Sequence, residues 1–249
     1  MTTVAPKQSQ KARLDQLLVE RGFAPSREKA QALLLAGVVL VDGQPAGKPG
    51  RTVSIECRID VSAQPRYVGR GGLKLEAALR KFLIDPQSRV CLDVGASTGG
   101  FTDCLLQHGA AKVFAFDVGH SQLDWKLRSD PRVVVREGIN ARHLTPADTG
   151  EAVSLIVCDV SFISVTLIVP TFPALLDDNG ELVILVKPQF EAGRDEVGKG
   201  GIIRDPVVQQ AACGRVREAV EALGFRTAII DSPILGAEGN REFLLYGRH

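Results

Sequence analysis

The chain has 249 residues, of which 45% are hydrophobic and 24% are charged, and its formal net charge is +1. These values are typical of a folded globular protein and exclude a disordered, collagen-like or disulfide-rich chain. Five cysteines without a Cys-x-x-Cys pair indicate reduced, buried thiols. Residues 1–10 are polar and lack the apolar stretch of a signal peptide. The sequence therefore favours a cytoplasmic protein, and its length predicts two domains.

Charge is distributed unevenly along the chain. Residues 1–89 carry 15 Lys and Arg against 8 Asp and Glu, whereas residues 90–249 carry 15 against 21. A basic first third indicates an anionic partner, and nucleic acid is the commonest one, although a solvated basic surface has the same composition.

Two helices and a small sheet are predicted for the basic part of the chain. Leucines recur at helical spacing after Arg13 until Gly22, and Ser26 is the expected N-cap of a second helix. The apolar strand 38–41 then enters an Asp-Gly turn, and strands return within 53–61. A core of this size is marginal, so the unit is expected to present a surface for phosphates. The candidate contacts are Arg13, Arg27, Lys29, Lys48 and Arg51.

The segment RLDQLLVERGFAPSREKAQALLLAGVVLVDG resembles the small RNA-binding module of a small-subunit ribosomal protein, which also occurs in many pseudouridine synthases. The resemblance extends from residue 13 to about residue 60. It implies that residues 1–62 form a small α+β domain whose two helices dock on structured RNA.

A βα alternation begins in the second part of the chain. Residues 63–88 are predicted as a linker and a first helix, and residues 89–249 as a doubly wound sheet domain. Its predicted elements are strand 89–93, glycine turn 95–100, helix 101–108, strand 112–117, strands 153–158 and 181–186, helix 206–223, and strands 225–231 and 242–246.

The loop DVGASTGGF, residues 93–101, follows the first strand of this sheet, where such folds bind nucleotide-like ligands. It contains neither G-x-G-x-x-G nor a Gly-Lys-Ser/Thr triplet, which argues against a dinucleotide or a triphosphate. Asp117 ends the second strand, where a carboxylate can accept both hydroxyls of a ribose. The pattern favours a binding site for S-adenosylmethionine over a purely structural glycine turn with a capping aspartate. The predicted contacts are Asp93, Gly95, Ala96, Ser97, Thr98, Gly99, Gly100, Phe101, Asp117, Val118, Asn140 and Asp159.

Five motifs occur in order along the chain: VGRGGLKL, DVGASTGGFTD, CDVSFIS, VKPQFE and EGNREF. Together they resemble the TlyA family of ribosomal RNA ribose methyltransferases, whose catalytic domain is of the FtsJ type. The resemblance covers essentially the whole chain. It implies a Rossmann-like sheet with an antiparallel terminal hairpin, and methyl transfer from S-adenosylmethionine to the 2′-hydroxyl of a cytidine in ribosomal RNA. No metal ion is expected, because the sulfonium supplies its own leaving group and the four histidines are scattered along the chain.

The resemblance also implies a catalytic tetrad of Lys74, Asp159, Lys187 and Glu242, with Glu238 as the alternative glutamate. In this interpretation Lys187 lies nearest the hydroxyl and Asp159 orients it. A lysine whose pKa is lowered by its surroundings can act as a base or stabilise a developing oxyanion.

The glycine-rich segment after KPQFE is expected to be a lid or an RNA contact, through Lys199 and Arg204. The chain ends seven residues after Glu242, which resembles the shorter family variant and favours 23S over 16S RNA. A monomer is the expected state in solution.

The sequence bears on three other functions. Base methylation is disfavoured because DVSF occupies the place of an N/D-P-P-Y/F loop, and Cys158 points away from a pocket that Asp159 faces. A non-catalytic RNA-binding assembly factor stays open. A membrane-active hemolysin would need a span such as 153–176, but Asp159, Pro170 and Pro173 argue against a membrane helix there. A strand, a turn and a helix are predicted for this segment instead.

Overall fold

The computed structural model describes residues 10–35, 38–46, 50–61, 66–193, 196–198, 200–236 and 239–249. The chain divides into two compact units, Met1–Arg66 and Tyr67–His249.

The first unit contains the two predicted helices and short antiparallel strands. Gly22 follows the first helix with φ +75°, and the Ser26 hydroxyl accepts a hydrogen bond from Lys29 N at 3.3 Å, so both predicted helix signals are confirmed. Leucines of both helices and valines of the strands form one buried core. The elements are β1 (Lys11–Arg13), α1 (Leu14–Glu20), α2 (Arg27–Leu35), β2 (Val39–Val41), β3 (Gln44–Pro45), β4 (Thr52–Ser54) and β5 (Ile59–Val61).

The second unit is built on a seven-stranded sheet in the order β11-β12-β10-β9-β6-β7-β8. β12 lies antiparallel between β10 and β11, which confirms the predicted terminal hairpin. Its helices are α3 (Gly71–Phe82), α4 (Gly100–Gln107), α5 (Trp125–Arg128), α6 (Pro146–Thr149), α7 (Pro188–Glu191) and α8 (Pro206–Glu221). Its strands are β6 (Val90–Val94), β7 (Lys112–Asp117), β8 (Val133–Glu137), β9 (Val153–Cys158), β10 (Leu176–Val186), β11 (Arg226–Asp231) and β12 (Phe243–Arg248).

Both faces of this sheet are covered. Apolar residues of α3 and α4 pack with Val113, Leu155 and Val183 on one face, whereas residues of α8 pack with Ile156 and Ile184 on the other. Successive strand residues point to opposite faces, so neighbouring residues of one strand enter different cores. This accounts for the continuous apolar runs of β9 and β10, which are buried on both sides.

The segment after β9 differs from its prediction. The strand 153–158 is confirmed, but the helix expected behind it is wrong, because only two 3-10 turns form, Val165–Leu167 and Val169–Thr171. Pro170 and Pro173 lack a backbone N–H and cannot continue an α-helix. The next strand starts earlier than predicted, at Leu176, with a register shift before Glu181. In the described part of the chain, no helix has both the length and the apolar character needed to cross a membrane.

Candidate active site

The carboxyl ends of the parallel strands meet along one edge of the sheet, and polar residues follow several of them. The loop from Gly95 follows β6, Asn140 lies beyond β8, Asp159 follows β9 and Lys187 follows β10. Ligands of doubly wound sheets bind at this edge.

Two glycines of the loop after β6 have different roles. Gly95 has φ +86°, and a Cβ there would lie 2.5 Å from the Asp159 carbonyl oxygen, so the backbone can approach the end of β9 only with glycine. Gly99 caps α4 with φ +99°, and a Cβ there would lie 2.2 Å from Leu127. This packing explains the glycine at position 99, and its contact with the cofactor stays a prediction.

A cavity of about 490 Å³ opens at this edge, beside a smaller one of about 100 Å³. Of the predicted cofactor contacts, all except Asp93 and Gly99 line one or both cavities. Those in the larger cavity are Gly95, Ser97, Asp117, Val118, Asn140 and Asp159, and the smaller adds Ala96, Thr98, Gly100 and Phe101. Lining residues that the sequence did not indicate include Gln122, Arg142 and Ile163.

Asp117 is fixed by the backbone on either side of the cavity. Its Oδ2 accepts a hydrogen bond from Ser97 N and its Oδ1 accepts one from Gly119 N, each at 2.7 Å. The side chain is partly exposed, and a carboxylate oxygen has a second lone pair with which to accept a ligand hydroxyl. Asn140 is exposed, and its Oδ1 accepts from Arg142 N at 3.1 Å. This arrangement suits the ribose of a nucleoside.

Asp93 lies outside the residues that line the two cavities, and its contact with the cofactor stays a prediction. It is completely buried, and its Oδ2 accepts a hydrogen bond from Thr102 Oγ1 at 2.6 Å. Among the described residues, its Oδ1 has no hydrogen-bond partner. Burial raises the pKa of Asp93 to about 7.

This burial predicts a specific pH dependence of stability. An unfolded aspartate titrates near pH 3.8, whereas folded Asp93 keeps its proton to about pH 7, so the folded state binds more protons within that window. The free energy of unfolding should therefore lose roughly 1.4 kcal/mol per pH unit from this group as pH rises through the window. We expect Asp93→Asn to remove that slope in urea denaturation between pH 4 and pH 7. Parallel curves for the variant and the wild type would contradict the assignment.

Asp159 and Lys187 form an ion pair at the ends of neighbouring strands. Lys187 Nζ lies 2.5 Å from Asp159 Oδ1 and donates to Ser161 Oγ at 2.8 Å. The Lys187 side chain is only 11% exposed. Asp159 N donates to the Val94 carbonyl at 2.9 Å, which ties the carboxylate to β6. The Lys187 amine is thus held beside Asp159, which lines both cavities.

Lys74 and Glu242 form a second pair, between α3 and the start of β12. Nζ lies 2.5 Å from Oε2, and the two side chains are 10% and 3% exposed. A Cβ on Gly236 would lie 2.4 Å from Glu242 Oε1, so glycine makes room for this carboxylate. The alternative glutamate, Glu238, lies outside the described residues. The predicted tetrad is therefore arranged as two pairs, and within the described chain no hydrogen bond or ion pair links them.

Those predicted RNA contacts that the structure describes lie on the surfaces of the two units. Arg13 and Arg27 are about half exposed and pair with Asp15, a residue that the sequence did not single out. Lys29, Arg51 and Arg204 are exposed, while Lys48 and Lys199 lie outside the described residues.

Phe162 is a site residue that sequence reasoning missed. Its side chain is 92% exposed, its φ is +66°, and its ring centroid lies 5.3 Å from that of Phe190. It lines the larger cavity with Asp159 and Ser161. The sequence signal that could have identified Phe162 is its position, three residues after Asp159 at the end of a strand.

Several known proteins are similar to this chain in sequence and in fold. The model of the FtsJ-like methyltransferase family matches residues 67–249, and the model of the S4 domain matches residues 12–59. A 16S/23S rRNA (cytidine-2′-O)-methyltransferase TlyA of Mycobacterium tuberculosis is 45% identical over 96% of this chain and 91% of its own. Hemolysin A of Brachyspira hyodysenteriae is 44% identical over 94% of this chain and 98% of its own.

A solved structure has the same fold. It is described as a hemolysin from Streptococcus thermophilus, with a TM-score of 0.73 and 42% identity over 96% of this chain and 89% of that chain. The match over residues 67–249, together with relatives above 40% identity over nearly the whole length, decides the family. The chain belongs to the FtsJ-like methyltransferases, in the TlyA family, and carries an N-terminal S4 domain.

Proposed function

We propose that this chain transfers a methyl group from S-adenosylmethionine to the ribose 2′-hydroxyl of a cytidine in ribosomal RNA. The observation that carries the proposal is the Asp159–Lys187 ion pair at the rim of a nucleoside-sized cavity. The S4 domain and the name of the Mycobacterium relative support RNA as the substrate. The chain would then act where ribosomes are found, in the cytoplasm.

The cofactor fits the larger cavity through its nucleoside part. In this proposal Asp117 accepts the ribose hydroxyls, Asn140 lies near the adenine, and the loop from Gly95 to Gly100 holds the methionine part. The backbone amides at the start of α4 suit a carboxylate. When bound, S-adenosylmethionine supplies an electrophilic methyl group on a sulfonium.

The chain's own task is to make the hydroxyl a better nucleophile. A ribose hydroxyl must lose its proton as the carbon–oxygen bond forms, and negative charge develops on its oxygen. We assign Lys187 to this oxygen, where its N–H groups donate and stabilise the charge while the hydroxyl proton passes to solvent water. Asp159 and Ser161 hold the amine in place. We assign Lys74 and Glu242 to the charge network of the site as a second, separate pair held by α3 and β12.

Phe162 offers a stacking surface for the target base beside the reacting ribose. Stacking on an aromatic ring contributes about 1–3 kcal/mol per base. We therefore expect Phe162→Ala to raise KM for RNA about tenfold, a larger effect than its effect on S-adenosylmethionine affinity in calorimetry, since Phe162 also lines the cofactor cavity. Trp125→Ala is the matched control, because Trp125 is 77% exposed and lines neither cavity. Equal KM values for the two variants would contradict a role for Phe162.

Methylation of a cytosine carbon is not favoured by the geometry. Such chemistry needs a cysteine nucleophile, and Cys158 is fully buried in the core. Burial raises the pKa of the Cys158 thiol, which disfavours the reactive thiolate.

Labelled methyl transfer tests the proposal. Intact and deproteinised ribosomal subunits that lack the modification are incubated with the protein and labelled S-adenosylmethionine, and the RNA is digested to nucleosides. Label in 2′-O-methylcytidine supports the proposal, and the RNA that carries the label identifies the subunit. Cofactor binding without transfer to either RNA would favour a non-catalytic assembly factor.

A further inference from the structure

A buried carboxylate lies beneath two arginines of the S4 domain. Asp15 is completely buried in the first turn of α1. Arg13 donates to it from Nε and Nη2 at 3.0 and 2.9 Å, Arg27 from Nε at 2.9 Å and Gln31 from Nε2 at 3.0 Å. These donors, Arg13 first among them, hold the pKa of Asp15 well below its usual range. The carboxylate is thus a fixed negative charge with three side-chain partners.

The contact with Asp15 orients the two arginines but uses only some of their hydrogen-bond donors. Their side chains remain 44% and 50% exposed. A guanidinium has five N–H donors, and Asp15 uses two of Arg13 and one of Arg27. Because Arg13 Nη2 and Arg27 Nε touch the same oxygen of Asp15, the two cations are close neighbours. Most of their donors therefore point away from the carboxylate.

We propose that Asp15 is a positioning residue for RNA, which holds Arg13 and Arg27 as one preformed fork for a backbone phosphate. The inference rests on the proposed function, since RNA is the anion expected on this unit. An arginine fixed in advance loses less side-chain entropy when it binds, and planar guanidiniums match the oxygens of a phosphate. Two such groups held side by side can donate to one phosphate together.

For a variant without the Asp15 carboxylate, the proposal and the change in net charge predict opposite changes in RNA affinity. Removing an acidic residue makes the unit more basic, and nonspecific electrostatics then predicts tighter RNA binding. If Asp15 holds the fork, Asp15→Asn should instead weaken binding, because the amide presents donors to the arginines and releases them. We expect a loss of roughly tenfold in affinity for deproteinised ribosomal RNA. The slope of log K against log salt should also become shallower as phosphate contacts are lost.

Asp60→Asn is the matched control in the same unit. It makes the same charge change in an exposed pair with Arg58, whose side chains are 77% and 41% exposed. We expect its RNA affinity to stay within about twofold of the wild type or to rise slightly. Circular dichroism and S-adenosylmethionine affinity of both variants show whether either unit has unfolded.

Arg27→Lys keeps the proposal testable if Asp15→Asn unfolds the unit. It preserves the charge on a half-exposed side chain but cannot form the fork, so we expect about fivefold weaker RNA binding with a normal melting curve. Wild-type affinity for RNA in folded Asp15→Asn, or in Arg27→Lys, would overturn the positioning role of Asp15 and leave the proposed function intact. If the wild-type chain itself bound no ribosomal RNA, the proposed substrate would fail, and this inference with it.

Discussion

Replacing Lys187 by alanine is expected to lower kcat for RNA methylation by about 10²- to 10⁴-fold, the range in which a positioned catalytic group usually contributes. The ammonium is placed by Asp159 and Ser161 at a point where two strands end, so few other groups can take over its hydrogen bonds. The affinity for S-adenosylmethionine should change little, since Lys187 lines neither cavity. Single-turnover methyl transfer, with calorimetry for the cofactor, separates these effects.

Lys112→Ala is the matched control for this experiment. Lys112 forms an exposed ion pair with Glu151 at the start of β7, at the end of the strand away from the site. We expect unchanged kcat and a stability change of less than about 1 kcal/mol. A Lys187→Ala enzyme that retained wild-type kcat would remove Lys187 from the mechanism.

The second large effect is expected at the buried Lys74–Glu242 pair. Glu242→Ala leaves the Lys74 ammonium inside the protein without its partner, which typically costs about 3–5 kcal/mol. We expect a corresponding fall in the free energy of unfolding, measured in urea, together with loss of methyl transfer. Arg241→Ala is the matched control, because Arg241 directly precedes Glu242 and forms an exposed ion pair with Asp231. We expect this variant to change the free energy of unfolding by less than about 1 kcal/mol.

A double variant separates stability from catalysis at this pair. Replacing both partners by apolar residues, Lys74→Met with Glu242→Leu, removes the isolated charge, and such exchanges are often neutral or stabilising. We expect the double variant to recover most of the lost stability but none of the activity. Recovery of activity along with stability would show that the pair is a packing feature, and it would refute our assignment of both residues to the charge network.

The sequence predicted those parts of the fold that depend on local patterns. The strand 153–158 has the predicted bounds, and Asp117 ends β7 where a parallel strand places its last residue at the ligand edge. Apolar runs, glycine turns and strand-end polar residues carry this information because each depends on neighbours in the chain.

Features that depend on contacts between residues far apart in the sequence could not be predicted from local patterns. The burial of Asp93 follows from strands and helices packed around it, whereas its place in the motif suggested a ligand contact. Asp15 is an ordinary acidic residue in the sequence and becomes a fixed charge only when Arg27 and Gln31 of α2 close over it. Similarly, the motifs list four tetrad residues without indicating that they form two separate ion pairs.

The insertion of β12 between β10 and β11 determines when the enzyme becomes competent during its own synthesis. Lys74 belongs to the first helix of its unit, and its partner Glu242 follows 168 residues later. At the usual pace of translation, roughly ten to thirty seconds separate the two residues. The S4 domain can therefore fold, and its RNA-binding surface form, while the catalytic unit is still incomplete. Methyl transfer must wait until the final strand has left the ribosome and entered the middle of the sheet.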